Sequence, residues 1–164
     1  MRLHVSKRIV SSVNAASDVV YRCVRAGTPV SEFLPYELGI HCGSLEQAEY
    51  INNVKYAGKG EIYEIVLSPG VEYSEVIDDW EEWNSIECIH EILTRGYMID
   101  ISREEITQDY RSGMLNRQSA SDYIKQQVGA TKLAVQYYND VEMDEVDLIL
   151  LDGSCIQSAT LVVA

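Results

Sequence analysis

Short apolar segments rich in β-branched residues occur near both ends of the chain, and this distribution constrains the fold more than any other feature. Residues 19–24 and 61–67 are the early segments, and each stops at a turn that contains a proline. The late segments cover residues 133–138, 146–151 and 159–163 and predict a closing β-meander. Strands at both ends with helices between them indicate an α+β domain.

Serine residues mark the starts of two of the predicted helices. Ser44 with Gln47, and Ser102 with Glu105, fit the capping box: the serine hydroxyl accepts a backbone N–H, and the later side chain returns a hydrogen bond to the serine N–H. Apolar residues at helical spacing and glycines at the ends indicate two further helices. The predicted helices cover residues 44–51, 86–95, 102–111 and 122–128.

Charge is distributed unevenly along the 164 residues, for which we predict a single domain over 1–164. The formal net charge is −13, which opposes nonspecific binding to nucleic acid or to anionic membranes. Residues 1–60 carry a net charge of +2 and residues 61–164 one of −15, so an anionic small ligand is expected at the N-terminal third. Residues 72–91 hold eight acids, no Lys or Arg, and both tryptophans, Trp80 and Trp83.

The four cysteines are spread along the sequence without the spacing of a zinc finger. They predict reduced thiols rather than a disulfide framework or a metal site. The N-terminal residues are too polar for a signal peptide, and no run of about 18 apolar residues occurs. A soluble protein of the cytoplasm is the expectation.

Arg22 lies inside the apolar segment 19–24 and needs an anionic partner there, because burying an unpaired guanidinium is costly. Two interpretations remain open. The partner is a carboxylate of the protein in a structural salt bridge, or it is a ligand, in which case Arg22 is an anion clamp.

Two further segments have the residue types of a site. Residues 39–44 place two glycines before a helix start, where backbone N–H groups can receive an anion; a well-capped loop is the structural alternative. Residues 139–145 crowd acids such as Glu142 and Glu145 into one turn, where like charges raise one another's pKa; a solvated hairpin tip fits equally. The sequence has no GxSxG, HExxH, GxGxxG or Walker loop.

In this order the segments resemble the ADP-ribosyltransferase-like domains of phages and mobile elements. The similarity covers roughly residues 18–70 and 130–163, and the middle of the chain is unmatched. The segments that carry it are Tyr21-Arg22 in a strand, Gly39-Ile40-His41-Cys42-Gly43-Ser44 before Gln47-Ala48, Tyr63-Glu64-Ile65-Val66-Leu67 before Pro69, Tyr137-Tyr138-Asn139-Asp140-Val141-Glu142, and Ile156-Gln157-Ser158-Ala159.

The resemblance implies a fold of two small packed β-sheets, with helices between the N-terminal and C-terminal strands, and a mono-ADP-ribosyltransferase that uses NAD. It implies that Glu142 stabilises positive charge on the ribose carbon and that Asp140 orients the acceptor; Glu145 and Asp144 are the alternative acids. The residues that it assigns to the NAD site are Tyr21, Arg22, His41, Gly43, Ser44 and Tyr63.

The resemblance also implies a partner: a host or competitor protein with a basic surface, as for phage proteins that counter host defence, including CRISPR systems. A second hypothesis is a non-enzymatic acidic protein whose residues 72–91 block a basic, nucleic-acid-binding surface. A third is an inactive relative with a structural role. This chain departs from the family pattern at Arg22, where many relatives have His, at Cys42, where an aromatic residue is common, and at Asp140.

Overall fold

Eight strands form two sheets in the computed structural model, which describes residues 18–33, 38–116 and 119–162. The first sheet is antiparallel, in the order β1-β3-β8. The second has the order β2-β7-β6-β4, and β5 pairs with β6 beside β4; β4 and β5 run parallel to β6. The strands are β1 (Val19–Val24), β2 (Ile40–Cys42), β3 (Glu61–Leu67), β4 (Glu72–Tyr73), β5 (Ile77–Asp78), β6 (Leu133–Asn139), β7 (Glu145–Leu150) and β8 (Ile156–Leu161).

Four helices lie between the early and the late strands of the described chain. They are α1 (Leu45–Tyr56), α2 (Ile86–Glu91), which continues into a π-helical turn (Ile92–Gly96), α3 (Arg103–Arg111) and α4 (Ala120–Val128). The hydroxyls of Ser44, Ser85 and Ser102 accept backbone N–H groups at the starts of α1, α2 and α3. Gly129 ends α4 in the left-handed conformation that glycine adopts without strain.

The five-stranded sheet is buried on both faces, which explains why its central strands are almost continuously apolar. On one face, Ala134 and Leu148 pack with residues of the three-stranded sheet such as Ile65. On the other face, Val135 and Ile149 pack with the residues of α2 to α4. The predicted α+β class and the two packed sheets are therefore observed.

The predicted elements at the N-terminal side are confirmed: β1 and β3 have the predicted bounds, and α1 starts after Ser44 but runs on to Tyr56.

The predicted β-meander is wrong. After β7 the chain passes through a 3₁₀ turn, Gly153–Cys155, and buries Cys155 between the sheets, so that β8 pairs with β3 in the other sheet. Strands β4 and β5 were not predicted, because two residues are too short to show a periodicity. Val163 and the N-terminal residues 1–13 lie outside the described residues.

Within the described chain, no helix combines the length and the apolar character needed to cross a membrane.

Candidate functional site

A cavity of about 840 Å³ opens between α1 and the ends of the strands, within the range of small-molecule sites. Tyr50 and Val54 of α1 form part of one wall and are partly exposed, at 41% and 67%. The rest of the lining includes Arg22, His41 and Glu142, so the positive N-terminal third and the acidic C-terminal part both contribute to it.

The guanidinium of Arg22 lies at this cavity without a carboxylate partner. Its Nη1 donates to the carbonyl oxygen of His41 at 2.8 Å, while Nε is buried and has no partner. Arg22 forms no ion pair with any residue in the described ranges. The structural salt bridge considered above is therefore not observed, and the guanidinium retains its charge and unused N–H donors at the cavity.

Three aromatic rings form one side of the cavity, which we call the aromatic wall: His41, Trp83 and Tyr137. They meet edge to face, with ring centroids 5.5 Å apart for His41 and Trp83 and 4.8 Å for Trp83 and Tyr137. His41 Nδ1 lies 3.4 Å from the Tyr137 hydroxyl. Burial and the nearby Arg22 charge lower the pKa of His41 to about 3, so the ring is neutral at physiological pH.

Ser44 connects the start of α1 to Glu145 rather than completing a capping box. Its hydroxyl accepts from Gln47 N at 3.1 Å, as expected, and donates to Glu145 Oε1 at 2.7 Å. The Ser44 N–H, which Gln47 was expected to bind, donates instead to Glu145 Oε2 at 3.0 Å. The Gln47 side chain donates to Asp147 Oδ2 at 2.9 Å. The predicted return bond is thus wrong, because two carboxylates distant in sequence take both partners.

Gly43 is required by close packing rather than by its backbone conformation. Its N–H and C=O pair with the backbone of Tyr21 at 3.0 and 2.8 Å, which joins β1 to the end of β2. A Cβ at this position would lie 2.5 Å from both Asp147 Oδ1 and Gln47 Oε1. Only glycine leaves room for the Gln47–Asp147 contact, which explains the residue without invoking a ligand.

Glu142 and Asp140 lie in the turn between β6 and β7, and both are exposed. Glu142 lines the cavity. Asn139 holds Glu142 in place, since Glu142 N donates to Asn139 Oδ1 at 3.0 Å and Asn139 Nδ2 donates to Glu142 Oε1 at 3.2 Å. Burial of Asp79, together with the charges of Glu142 and Asp140, raises the pKa of Asp79, so these three acids lie near one another. Asp144 in the same turn accepts a hydrogen bond from the Tyr138 hydroxyl.

Four of the six residues that the resemblance assigns to the NAD site do not belong to the described lining of the cavity: Tyr21, Gly43, Ser44 and Tyr63. The Tyr21 hydroxyl donates to Glu64 Oε2 at 3.3 Å. The ring of Tyr63 packs edge to face on Phe33, with centroids 5.0 Å apart, against the core between the two sheets. Tyr21 contributes to the site through its backbone pairing with Gly43, and Tyr63 contributes to the core.

Asp147, in the middle of β7, was missed by the sequence analysis. It is fully buried, as is Asn139, and burial together with the Glu145 carboxyl raises its pKa to about 9. The signal was present: a lone aspartate interrupts the apolar run VDLILL, just as Arg22 interrupts VVYRCV. Because burying an unpaired charge is costly, this position marks Asp147 as a candidate in the same way as Arg22.

The acidic segment 72–91 does not present its tryptophans to solvent. Trp83 is 8% exposed and belongs to the core under the helices, and Trp80 packs against the same core. Glu81 and Glu82 beside them are exposed. Trp83 is therefore not available for docking in this conformation, whereas Trp80 is only partly buried. In the described ranges the four cysteines are free and buried, and no group of three or more His, Cys, Asp or Glu side chains is placed to hold a metal ion.

Comparison of the chain with models of protein families, with curated proteins and with solved structures gives no match.

Proposed function

We propose that this chain is an NAD-dependent mono-ADP-ribosyltransferase that modifies a host or competitor protein with a basic surface. The observation that carries the proposal is the unpaired guanidinium of Arg22 at a cavity that Glu142 also lines. NAD is the donor substrate in this proposal. It supplies an anionic pyrophosphate for a cation and a cleavable ribose–nicotinamide bond for a carboxylate.

Arg22 and Lys55 are the two cations among the described residues of the lining. The free N–H donors of Arg22 suit a pyrophosphate oxygen, because a guanidinium presents several donors in a fixed plane. The aromatic wall lines the cavity with ring atoms that a nicotinamide or adenine ring can contact. His41 stays neutral and therefore does not add a third cation to the cavity.

Cleavage of the donor breaks the bond between the ribose C1′ and the nicotinamide nitrogen, and nicotinamide leaves with the bonding electrons. Positive charge builds on C1′ until an acceptor atom bonds there and loses its proton. A carboxylate near C1′ stabilises that charge. Glu142 lies at the cavity, and Glu145 is held by two hydrogen bonds from Ser44, so we assign the role to Glu142 and keep Glu145 as the alternative.

The acids near the cavity supply the preference for a basic target. Glu81 and Glu142 line the cavity, and Asp79 and Asp140 lie close to Glu142. A cationic segment of a target protein complements this charge, whereas anionic nucleic acid is repelled. In the proposal Asp140 orients the acceptor group. A phage-encoded protein of this kind would act on a host defence complex, including a CRISPR complex.

The test is calorimetric titration of NAD into the wild-type protein together with an assay of nicotinamide release in host lysate. Arg22→Ala is compared with Arg25→Ala, which removes an exposed arginine three residues away. We expect only Arg22→Ala to weaken NAD binding, by roughly tenfold to a hundredfold for a lost charge-assisted contact. Equal NAD affinity for Arg22→Ala and wild type contradicts the assignment.

Glu142→Gln and Glu145→Gln decide between the two acids, with Glu82→Gln as the matched control at an exposed position. We expect Glu142→Gln to retain NAD binding and to lose nicotinamide release by a factor of roughly 100 or more. If Glu145→Gln alone has this effect, Glu145 is the essential acid.

The non-enzymatic hypothesis makes a different prediction in the same lysate. A protein that only blocks a basic surface loses binding as salt rises and when the acids of residues 72–91 are neutralised. It is also indifferent to substitution of Glu142. Absence of both NAD binding and nicotinamide release in the wild-type protein would favour that hypothesis over the enzyme.

A further inference from the structure

We propose that Asp147 is a neutral carboxylic acid and the positioning residue of this site, joining Glu142 to Glu145 through one continuous chain of hydrogen bonds. The chain of bonds is a property of the folded protein, whereas its effect on turnover rests on the proposed transferase function.

The first half of the chain runs from Glu142 to Asp147 through Asn139. Asn139 Nδ2 donates to Glu142 Oε1 at 3.2 Å and to Asp147 Oδ2 at 2.9 Å. Its Oδ1 accepts from the backbone N–H of Glu142 at 3.0 Å. Asn139 is fully buried, so its amide plane is fixed by these contacts. Asp147 therefore determines how Asn139 presents its amide to Glu142.

The second half runs from Asp147 to Glu145 through α1. Gln47 Nε2 donates to Asp147 Oδ2 at 2.9 Å, and Gln47 N donates to Ser44 Oγ at 3.1 Å. Ser44 Oγ donates in turn to Glu145 Oε1 at 2.7 Å. Gln47 is only 4% exposed, and Gly43 leaves just enough room for its contact with Asp147.

The two oxygens of Asp147 have different surroundings, and this difference assigns the proton. Oδ2 accepts two amide N–H groups, while no donor in the described chain reaches Oδ1. Burial contributes most to the raised pKa of Asp147, and the neighbouring Glu145 carboxyl contributes next. In its protonated form the Asp147 carboxyl can donate a hydrogen bond to the Glu145 carboxyl. An ionised Asp147 would place a second negative charge beside Glu145 in a buried site.

Few other groups around Asp147 can change charge between pH 6 and 10. On β2, burial holds the pKa of His41 near 3 and raises the pKa of Cys42 to about 12. On β6, burial holds the pKa of Tyr137 well above 10. The charged groups that act on Asp147 are Glu142 in the turn and Glu145 on β7. Ionisation of Asp147 at alkaline pH places a negative charge beside Glu145, and we assign the decline in rate expected near pH 9 to this step.

The test compares Asp147→Leu, Asp147→Asn and the exposed control Asp100→Asn in nicotinamide release from pH 6 to 10. Leucine removes every polar contact and keeps the branched shape of the side chain, although its methyl groups are larger than the oxygens they replace; asparagine keeps an acceptor towards the two amides and a donor towards Glu145. We expect Asp147→Leu to lower kcat by roughly 100-fold, with KM for NAD changed less than about threefold, since misplaced groups cost that much. Asparagine restores most of kcat and removes the decline of the wild-type rate near pH 9.

Two NMR measurements on the wild-type protein test Asp147 without reference to activity. The ¹³C resonance of the Asp147 carboxyl should titrate near pH 9, and the side-chain amide resonances of Gln47 and Asn139 should shift in the same range. Titration of this carboxyl below pH 6 overturns the proposal, as does wild-type kcat in Asp147→Leu. If the wild-type protein does not turn over NAD, the proposed function fails, but the NMR titration still decides the state of Asp147. If Asp147→Leu does not fold, Asp147→Asn and the titration decide.

Discussion

Substitution of Gly43 by alanine tests whether the Gln47–Asp147 contact is as tightly packed as the structure indicates. The new Cβ would lie 2.5 Å from two side-chain oxygens, Asp147 Oδ1 and Gln47 Oε1. Overpacking costs about 1–3 kcal/mol, and displacing the Gln47 amide leaves buried polar groups without partners at a similar cost. We expect the free energy of unfolding to fall by about 2–4 kcal/mol, because one of the two side chains must move.

Gly153→Ala is the matched control, since a Cβ at Gly153 meets nothing within 4 Å. We expect it to change the free energy of unfolding by less than about 0.5 kcal/mol. Urea unfolding followed by tryptophan fluorescence measures both, because Trp83 lies in the core. Equal unfolding midpoints for Gly43→Ala and Gly153→Ala would refute the argument from close packing.

Three further predictions concern stability and reactivity. Ser44→Ala should destabilise more than Ser102→Ala by roughly 1–2 kcal/mol, because both remove a helix cap but only Ser44 also binds Glu145; thermal unfolding compares them. Burial alone would raise the pKa of Asp152, but hydrogen bonds from Lys125 and Ser154 outweigh it and lower the pKa. The stability from this pair is present above about pH 4 and is lost as pH falls through the lowered pKa, so Lys125→Met should destabilise by about 1 kcal/mol at pH 7 and progressively less below pH 4 in urea titrations. Cys42, Cys88 and Cys155 are at most 1% exposed and should react with a thiol reagent only at the rate of unfolding, so their rapid labelling in the native protein would contradict their burial.

Local signals in the sequence were sufficient for most of the elements but not for their partners. A β-branched run and a serine cap depend only on residues that are adjacent in sequence, so β1, β3 and the start of α1 were predicted correctly. The sheet to which β8 belongs depends on the burial of Cys155 between the sheets, and no residue next to β8 encodes that. The hydrogen bond predicted for the Gln47 side chain was wrong for the same reason. Its capping-box position is a local signal, but the side chain binds Asp147, which is 100 residues away in sequence.

Arg22 and Asp147 are the two charged residues that interrupt apolar strands, and the protein accommodates them in opposite ways. Asp147 is enclosed: two amide donors satisfy one oxygen, and burial with the neighbouring Glu145 carboxyl raises its pKa. Arg22 receives far less: among the described residues one carbonyl oxygen, that of His41, accepts from its guanidinium. A charged residue with a purely structural role needs all of its partners within the protein. Arg22 lies at an open cavity with N–H donors that no described residue uses, so a ligand can supply the missing acceptor. In the proposed function Arg22 therefore binds the anion, and Asp147 fixes the geometry around it.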